Sequence, residues 1–255
     1  VNLSNPEGAE HKYDICGNIC ETGDRFAEER LRIAAELDVE RGVREVLKRL
    51  AEIATKHNLI VISDEIHCDM ALYGNRHTPF ASVSDEAANC SITFGAPSKT
   101  FNIAGIVSSY TIVPNHHLRE QFFSWLEAGE MNAATIFAMT ATEAAFTQGE
   151  EWRKQMLAHI EGNIDYVDAF LKENIPAVRL IKPQASFLVW LDFSALGLEH
   201  SALIDMLQSD AHLAMNDGAM FGIGGEQHTR LNVGTQRAVL EQAMKQLKEA
   251  IDKLK

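Results

Sequence analysis

Four short stretches carry residue types that could do chemistry together: Asn5-Pro6-Glu7-Gly8, Ser63-Asp64-Glu65-Ile66-His67, Ser98-Lys99-Thr100 and Arg230-Leu231-Asn232. A lysine amine becomes a nucleophile or a base once its charge is suppressed, and an arginine grips a carboxylate through two parallel hydrogen bonds. Taken singly, each stretch has a blander reading. A Lys after a Ser reads as a solvated loop residue, an Asp ending a strand as a cap or turn former, and an Arg opening a strand as half of a surface ion pair. Their order and spacing along the chain lift them above that reading.

The elements that must position these residues are legible in outline. Leu59-Ile60-Val61-Ile62 is an apolar run without alternation, as in a strand covered on both faces of a parallel sheet. It ends at Ser63-Asp64-Glu65, at the carboxyl end of the strand, where open α/β sheets place their ligands. Val1–Ser4, Ser91–Phe94, Ile106–Val113, Val178–Lys182, Ser186–Asp192 and Arg230–Val233 also read as strands. Apolar spacing of three and four predicts a helix from Phe26 to Ala54 that stops at His57-Asn58. Helical periodicity continues from Leu118 to Asn174, with Trp152–Asn174 as one long helix, and returns at Ser201–Asp210 and Arg237–Leu254. Strands alternating with helices argue an α/β sheet first and a smaller α+β unit after the long helix.

Composition narrows the function classes. The 255 residues are 46% hydrophobic and 23% charged, a mix that excludes a disordered or fibrous chain. At this length roughly 70–75% of the unfolded surface can be buried. A net charge of −13 repels a phosphate backbone, so no nucleic-acid partner is expected, and any anionic ligand must meet local, specific cations. No stretch reaches the ~18–20 apolar residues of a membrane helix, and no basic-then-apolar run at the start of the given sequence reads as a secretory signal. Four scattered cysteines make no disulfide framework, and a reducing cytoplasm is expected. His11, Cys16 and Cys20 carry metal-ligand atoms, but a C-x3-C spacing with no second pair is not a zinc pattern, and no metal is expected.

The sequence resembles the fold-type I enzymes that use pyridoxal 5′-phosphate (PLP), and within them the MalY/PatB-type C–S lyases, which include cystathionine β-lyases. The resemblance runs from about Glu45 to Leu254. It is carried by Val61-Ile62-Ser63-Asp64-Glu65-Ile66-His67, His77-Thr78-Pro79-Phe80-Ala81-Ser82, Ala96-Pro97-Ser98-Lys99-Thr100-Phe101-Asn102, Gly149-Glu150-Glu151-Trp152, Glu161-Gly162-Asn163-Ile164-Asp165-Tyr166 and Leu188-Val189-Trp190-Leu191-Asp192-Phe193. The interval from Lys99 to Arg230 is also of the family's kind.

The resemblance implies a role for each position. Lys99 would bond the cofactor's aldehyde and then act as base at the substrate Cα; Asp64 would pair with the pyridine nitrogen and keep it protonated. Asn5 and His67 would hydrogen-bond the phenolic oxygen, Ser98 would contact the phosphate, and Arg230 would clamp the α-carboxylate of a small amino-acid substrate. His67 stands where many aminotransferases carry Tyr, which favours the lyase branch. The implied reaction is α,β-elimination of cystathionine or cysteine S-conjugates to pyruvate, ammonia and a thiol. An aminotransferase is the nearest alternative, since the same lysine, aspartate and arginine serve both; a truncated, non-catalytic paralogue or fragment is the alternative from another class. A homodimer is expected from the resemblance and from the apolar helices around Phe122–Leu126 and Ile136–Phe146.

His67 also reads as a core histidine, Cys68 and Cys90 as buried small apolar residues, and Phe122, Phe123 and Trp125 as packing or interface residues. The His77-Thr78 loop either shapes the cofactor pocket or turns the chain. The sequence departs from the family in two ways. Members carry a long portion before the Asn-Pro-x-Gly turn, which here sits at position 5, and the stretch between Asn5 and Asp64 is longer than the family pattern. The expected architecture is α/β: a partial PLP-transferase-like large domain with a mainly parallel sheet over 1–155, with about 10–40 as an atypical insertion, then a linking helix and small α+β domain over 156–255.

Overall fold

The structure, a computed structural model, describes residues 39–254. The strand expected over Val1–Ser4 and the helical pattern before Val39 lie outside the described residues. The chain divides into two compact units. Of the described residues, the first holds 39–69 and Arg76–Glu150; the second holds Met70–Asn75 and 151–254.

In the first unit, helix α1 (Val39–Lys56) turns Leu47, Leu50, Ala51 and Ala54 onto Val61, Phe80, Val83 and Ala87. Residues three and four apart share one face, so this spacing makes a single apolar stripe. The helix stops where predicted: Asn58 takes φ +53°, and the Leu59 amide donates back to the Ala54 carbonyl at 2.8 Å. Strand β1 (Val61–Asp64) lies parallel to β2 (Ser91–Gly95), with Val61 opposite Ser91 and Asp64 opposite Phe94. Between them runs α2 (Asp85–Cys90), capped by the Ser84 hydroxyl, which accepts from the Ala87 amide at 3.2 Å. Strand β3 (Tyr110–Ile112) pairs antiparallel on the far side, giving the order β1-β2-β3. The centre of this sheet is Ile92, packed with Val113 and Leu118.

Two sequence expectations change form here. The strand foreseen over Ile106–Val113 is only Tyr110–Ile112: Ala104–Ile106 is a 3-10 turn, and Val107 takes φ +53°, which breaks any extended run. The helical stretch from Leu118 divides into α3 (His116–Ala128), α4 (Ile136–Gln148) and α5 (Glu150–Asn174), with Gly129 and Gly149 at the ends of the first two. Fresh caps restart the chain at Asn115 and Thr135, whose side chains accept from the Leu118 and Ala138 amides.

The second unit is an antiparallel sheet of β4 (Arg179–Ile181), β5 (Leu188–Asp192), β6 (Asn216–Asp217) and β7 (His228–Asn232), in the order β4-β5-β7-β6. Helix α5 buries Ile160, Ile164, Val167 and Leu171 in the same core as Val189 and Leu191 of β5. The core also takes Leu203 of α6 (His200–Asp205) and Leu240, Met244, Leu247 and Ile251 of α7 (Arg237–Asp252). Each such side chain contributes roughly 1.5–3 kcal/mol by leaving water. Buried Asn163 fixes the β7–α7 turn, donating to the carbonyls of Val233 (2.8 Å) and Thr235 (2.9 Å) and accepting from Arg237 Nε at 2.9 Å.

Candidate functional site

Because β1 and β2 are parallel and in register at Asp64 and Phe94, their carboxyl ends open onto one edge of the sheet. Asp64 is exposed there, and its Oδ1 accepts from the Ile66 amide at 3.2 Å. The chain then turns through half-buried His67, closed by the Cys68 amide donating to the Glu65 carbonyl at 2.9 Å. From the end of β2, buried Gly95, Ala96 and Pro97 lead into a turn closed by Phe101 N–H to Pro97 O (2.9 Å) and Ile103 N–H to Ser98 O (3.1 Å). Lys99 stands exposed on this turn, and neither its amine nor the Ser98 hydroxyl has a partner among the described residues. The Thr100 Oγ1 is fully buried and equally unpartnered. A buried hydroxyl left without a partner costs roughly 1–3 kcal/mol, so such groups call for an explanation. An amine and two hydroxyls unpartnered on one loop, following a strand whose parallel neighbour ends in a carboxylate, could serve a ligand that carries a carbonyl, an anionic group and a basic nitrogen.

Sequence pattern alone gives Glu65 no role of its own. In the fold it is 8% exposed, and its carboxylate accepts from the Ser63 hydroxyl (2.8 Å) and the Phe80 amide (2.9 Å) and meets His77 Nε2 at 2.8 Å. Burial alone would raise its pKa, but the bonds from His77, Phe80 and Ser63 together hold the carboxyl below its ordinary value. The His77-Thr78 loop carries the signal, but nothing in the spacing says which carboxylate that loop meets. Burial, with Asp69 and Glu65 nearby, pushes the Cys68 thiol up to about 12, so it stays protonated and is no nucleophile at neutral pH.

Arg230 belongs to the second unit, on β7 between Trp190 of β5 and Asn216 of β6. Its Nη2 donates to Asn216 Oδ1 at 3.1 Å, and its guanidinium carbon lies 4.7 Å from the centre of the Phe221 ring. Phe221 meets Trp190 edge to face at 5.5 Å, and Trp190 stacks on His228 at 5.5 Å. The Arg230 Nε is buried without a partner among the described residues. Asn5 lies outside the described residues, as do His11, Cys16 and Cys20.

Known proteins share the sequence pattern and the fold. The profile of the aminotransferase class I and II family matches residues 43–247. The chain belongs to that family. Among curated family members, cystathionine beta-lyase PatB of Bacillus subtilis (strain 168) is 42% identical over 208 residues, 82% of this chain and 54% of its own length. Protein MalY of Escherichia coli (strain K12) is 31% identical, over 80% of this chain and 52% of its own. The crystal structure of cystalysin from Treponema denticola, which contains a pyridoxal 5′-phosphate cofactor, superimposes with a TM-score of 0.79 at 32% identity, covering 83% of this chain and 54% of cystalysin. The chain thus spans about half the length of the curated relatives it matches.

Proposed function

We propose that this chain is the PLP-binding and substrate-binding part of a C–S β-lyase, acting on cystathionine or cysteine S-conjugates to release pyruvate, ammonia and a thiol. The observation that carries the reading is the shared sheet edge on which β1 delivers Asp64 and β2 delivers Ser98 and Lys99. The donor set fits PLP: an unpartnered amine for its aldehyde, hydroxyls for its phosphate and a carboxylate for its ring nitrogen. Similarity to a cystathionine beta-lyase at 42% identity favours elimination over amino transfer.

When bound, the cofactor supplies an electron sink conjugated to the substrate Cα. The chain's own residues do the rest. Lys99 takes the proton from Cα, Asp64 holds a proton on the ring nitrogen, and Ser98 donates to a phosphate oxygen. His67 and Asn5 serve the phenolic oxygen, and Arg230 fixes the α-carboxylate with the fork geometry that lysine lacks. The Cβ–S bond would break with its electron pair leaving on sulfur. The sulfur would take up the proton that Lys99 removed and leave as the thiol, and the released enamine would take up water to give pyruvate and ammonia. The first unit is the cofactor-binding domain in this reading, and the second is the substrate-carboxylate domain.

A homodimer in the cytoplasm completes the proposal. Support for pairing comes from α4, where Ile136 and Phe137 are 69% and 77% exposed on a helix too apolar to face water alone. Support for the compartment comes from free Cys68 and Cys90. No described helix is long and apolar enough to cross a membrane.

The test is a PLP titration followed by visible absorbance, with borohydride reduction and peptide mass mapping. PLP fixed to Lys99, and lost in Lys99→Ala, is the expected result; modification at any other lysine rejects it. Pyruvate released from cystathionine without a keto-acid acceptor supports the lyase, and a strict need for 2-oxoglutarate rejects it. Light scattering that finds a monomer at micromolar concentration rejects the dimer.

A further inference from the structure

Asp64 and Glu65 are neighbours in sequence with opposite fates. Successive side chains on an extended chain point to opposite sides, so one of two adjacent carboxylates at a strand end faces in and the other out. A slip of one residue would exchange them. Nothing in the two side chains themselves decides which goes where.

The donors around them do. On the inner side stand the Ser63 hydroxyl, the Phe80 amide and His77 Nε2, all within 2.8–2.9 Å of the Glu65 carboxylate. The last two come from a loop that begins well after the β1 turn, with Pro79 stiffening the approach to Phe80. The Glu65 main chain is held as well: its amide donates to the Phe94 carbonyl of β2 at 2.8 Å, and its carbonyl accepts from Cys68 at 2.9 Å. Buried carboxylates are tolerated only when so satisfied, and here the satisfaction spans three segments of the first unit. With the Glu65 main chain bonded through both its amide and its carbonyl and Ser63 in the sheet ladder, the backbone of Asp64 is held on both sides, and the Ile66 amide donates to its carboxylate at 3.2 Å.

We propose that Glu65, anchored by Ser63, His77 and Phe80, is the positioning residue for Asp64, holding that carboxylate outward at the ligand edge of the sheet. The inference rests on the reading of Asp64 as the partner of the cofactor's ring nitrogen. It adds a role for the His77–Phe80 loop, which orients Asp64 through Glu65.

The experiment uses the full chain and two readouts. In cofactor-free protein, hydrogen–deuterium exchange at the Ile66 amide reports whether Asp64 is held; Glu65→Gln, which turns one acceptor oxygen into a donor, should speed it at least about tenfold, beyond any change in global stability. In PLP titrations of wild type, E65Q, D64N and the double variant, E65Q should weaken binding about tenfold alone and less than about twofold on top of D64N. His77→Gln, which keeps a donor, should retain most of the affinity that His77→Leu loses. An equal loss from E65Q in both backgrounds, or unchanged Ile66 exchange, overturns the proposal. If wild type takes up no PLP, the cofactor reading falls and the Ile66 exchange alone decides the positioning role. Should E65Q fail to fold, Ser63→Ala removes one of the three donors and is read the same way at smaller amplitude.

Discussion

The guanidinium of Arg230 rests on the face of Phe221, with 4.7 Å between its central carbon and the ring centre, while Asn216 takes its Nη2 at 3.1 Å. One face and one edge are therefore spoken for inside the second unit. The Nε is buried and unpartnered among the described residues, and the fork as a whole carries five N–H donors, more than these contacts use.

If that fork binds the substrate carboxylate, loosening it should raise KM and spare kcat. A cation over an aromatic face contributes about 0.5–2 kcal/mol, so Phe221→Leu should raise KM for cystathionine by about fivefold. Arg230→Lys, which keeps charge but loses the fork, should raise it more. Steady-state kinetics decide the matter: a fall in kcat at constant KM in Phe221→Leu is the outcome that sinks this account.

The loop that carries Phe221 is closed by two glycines. A Cβ on Gly218 would run into the carbonyls of Gly225 and His228, and one on Gly225 into the Gly218 carbonyl. These neighbours are backbone and cannot swing aside. Gly225→Ala should destabilise the protein by about 1–3 kcal/mol, as overpacking does elsewhere, and it should also weaken the hold on substrate. Urea unfolding and KM measured on the same variant check it; an alanine that leaves both unchanged refutes the close approach.

Asp192 makes acid stability predictable in sign. The Ser194 hydroxyl (2.6 Å) is the main influence; with burial opposing, the Ser194 amide (2.9 Å), Arg179 (2.7 Å) and nearby His228 add to it, and the carboxyl is held down at about 2, against 3.8 in an unfolded chain. A depressed carboxyl stabilises the fold at pH values above that of the unfolded chain, and the contribution disappears as pH falls through the folded value. Asp192→Asn should therefore be less stable than wild type at pH 7, with the gap narrowing only between about pH 4 and pH 2. Urea midpoints at pH 7, 4, 3 and 2 give the curve. A gap of constant size across that window would show that the carboxylate charge is not what matters.

Much of this fold follows from local pattern. The unalternating Leu59-Ile60-Val61-Ile62 run reads as a strand within a parallel pair; the strand takes in only Val61 and Ile62 of it, with Asp64 at its end, and Ile60 is left exposed before it. The α5 stripe of Ile160, Ile164, Val167 and Leu171 is visible as spacing. Other features need closure in three dimensions. Glu65 looks like one more polar residue after a strand, because the donors that bury it arrive from His77 and Phe80 through a loop whose path no periodicity encodes. Val107 reads as part of a strand because β-branching favours one, yet it sits at φ +53° where the Lys99 loop ends. Phe221 finds Arg230 only because Gly218 and Gly225 fold the intervening chain back on itself.

The buried hydroxyl beside Lys99 separates a structural role from a ligand-binding one. Thr100 Oγ1 is shut away from solvent and makes no hydrogen bond among the described residues. Valine has nearly the same shape without the hydroxyl. In cofactor-free protein, Thr100→Val should raise stability by about 1 kcal/mol, because the substitution removes an unsatisfied polar atom and keeps the packing around it. The same substitution should weaken PLP binding several-fold if the hydroxyl, like that of Ser98, turns to the ligand when one is present. Sites that give up stability for function show this opposition. Denaturant titration and PLP titration of one variant test both halves; a variant that loses stability without cofactor would mean that Thr100 has a structural partner, and the hydroxyl would then leave the proposed donor set.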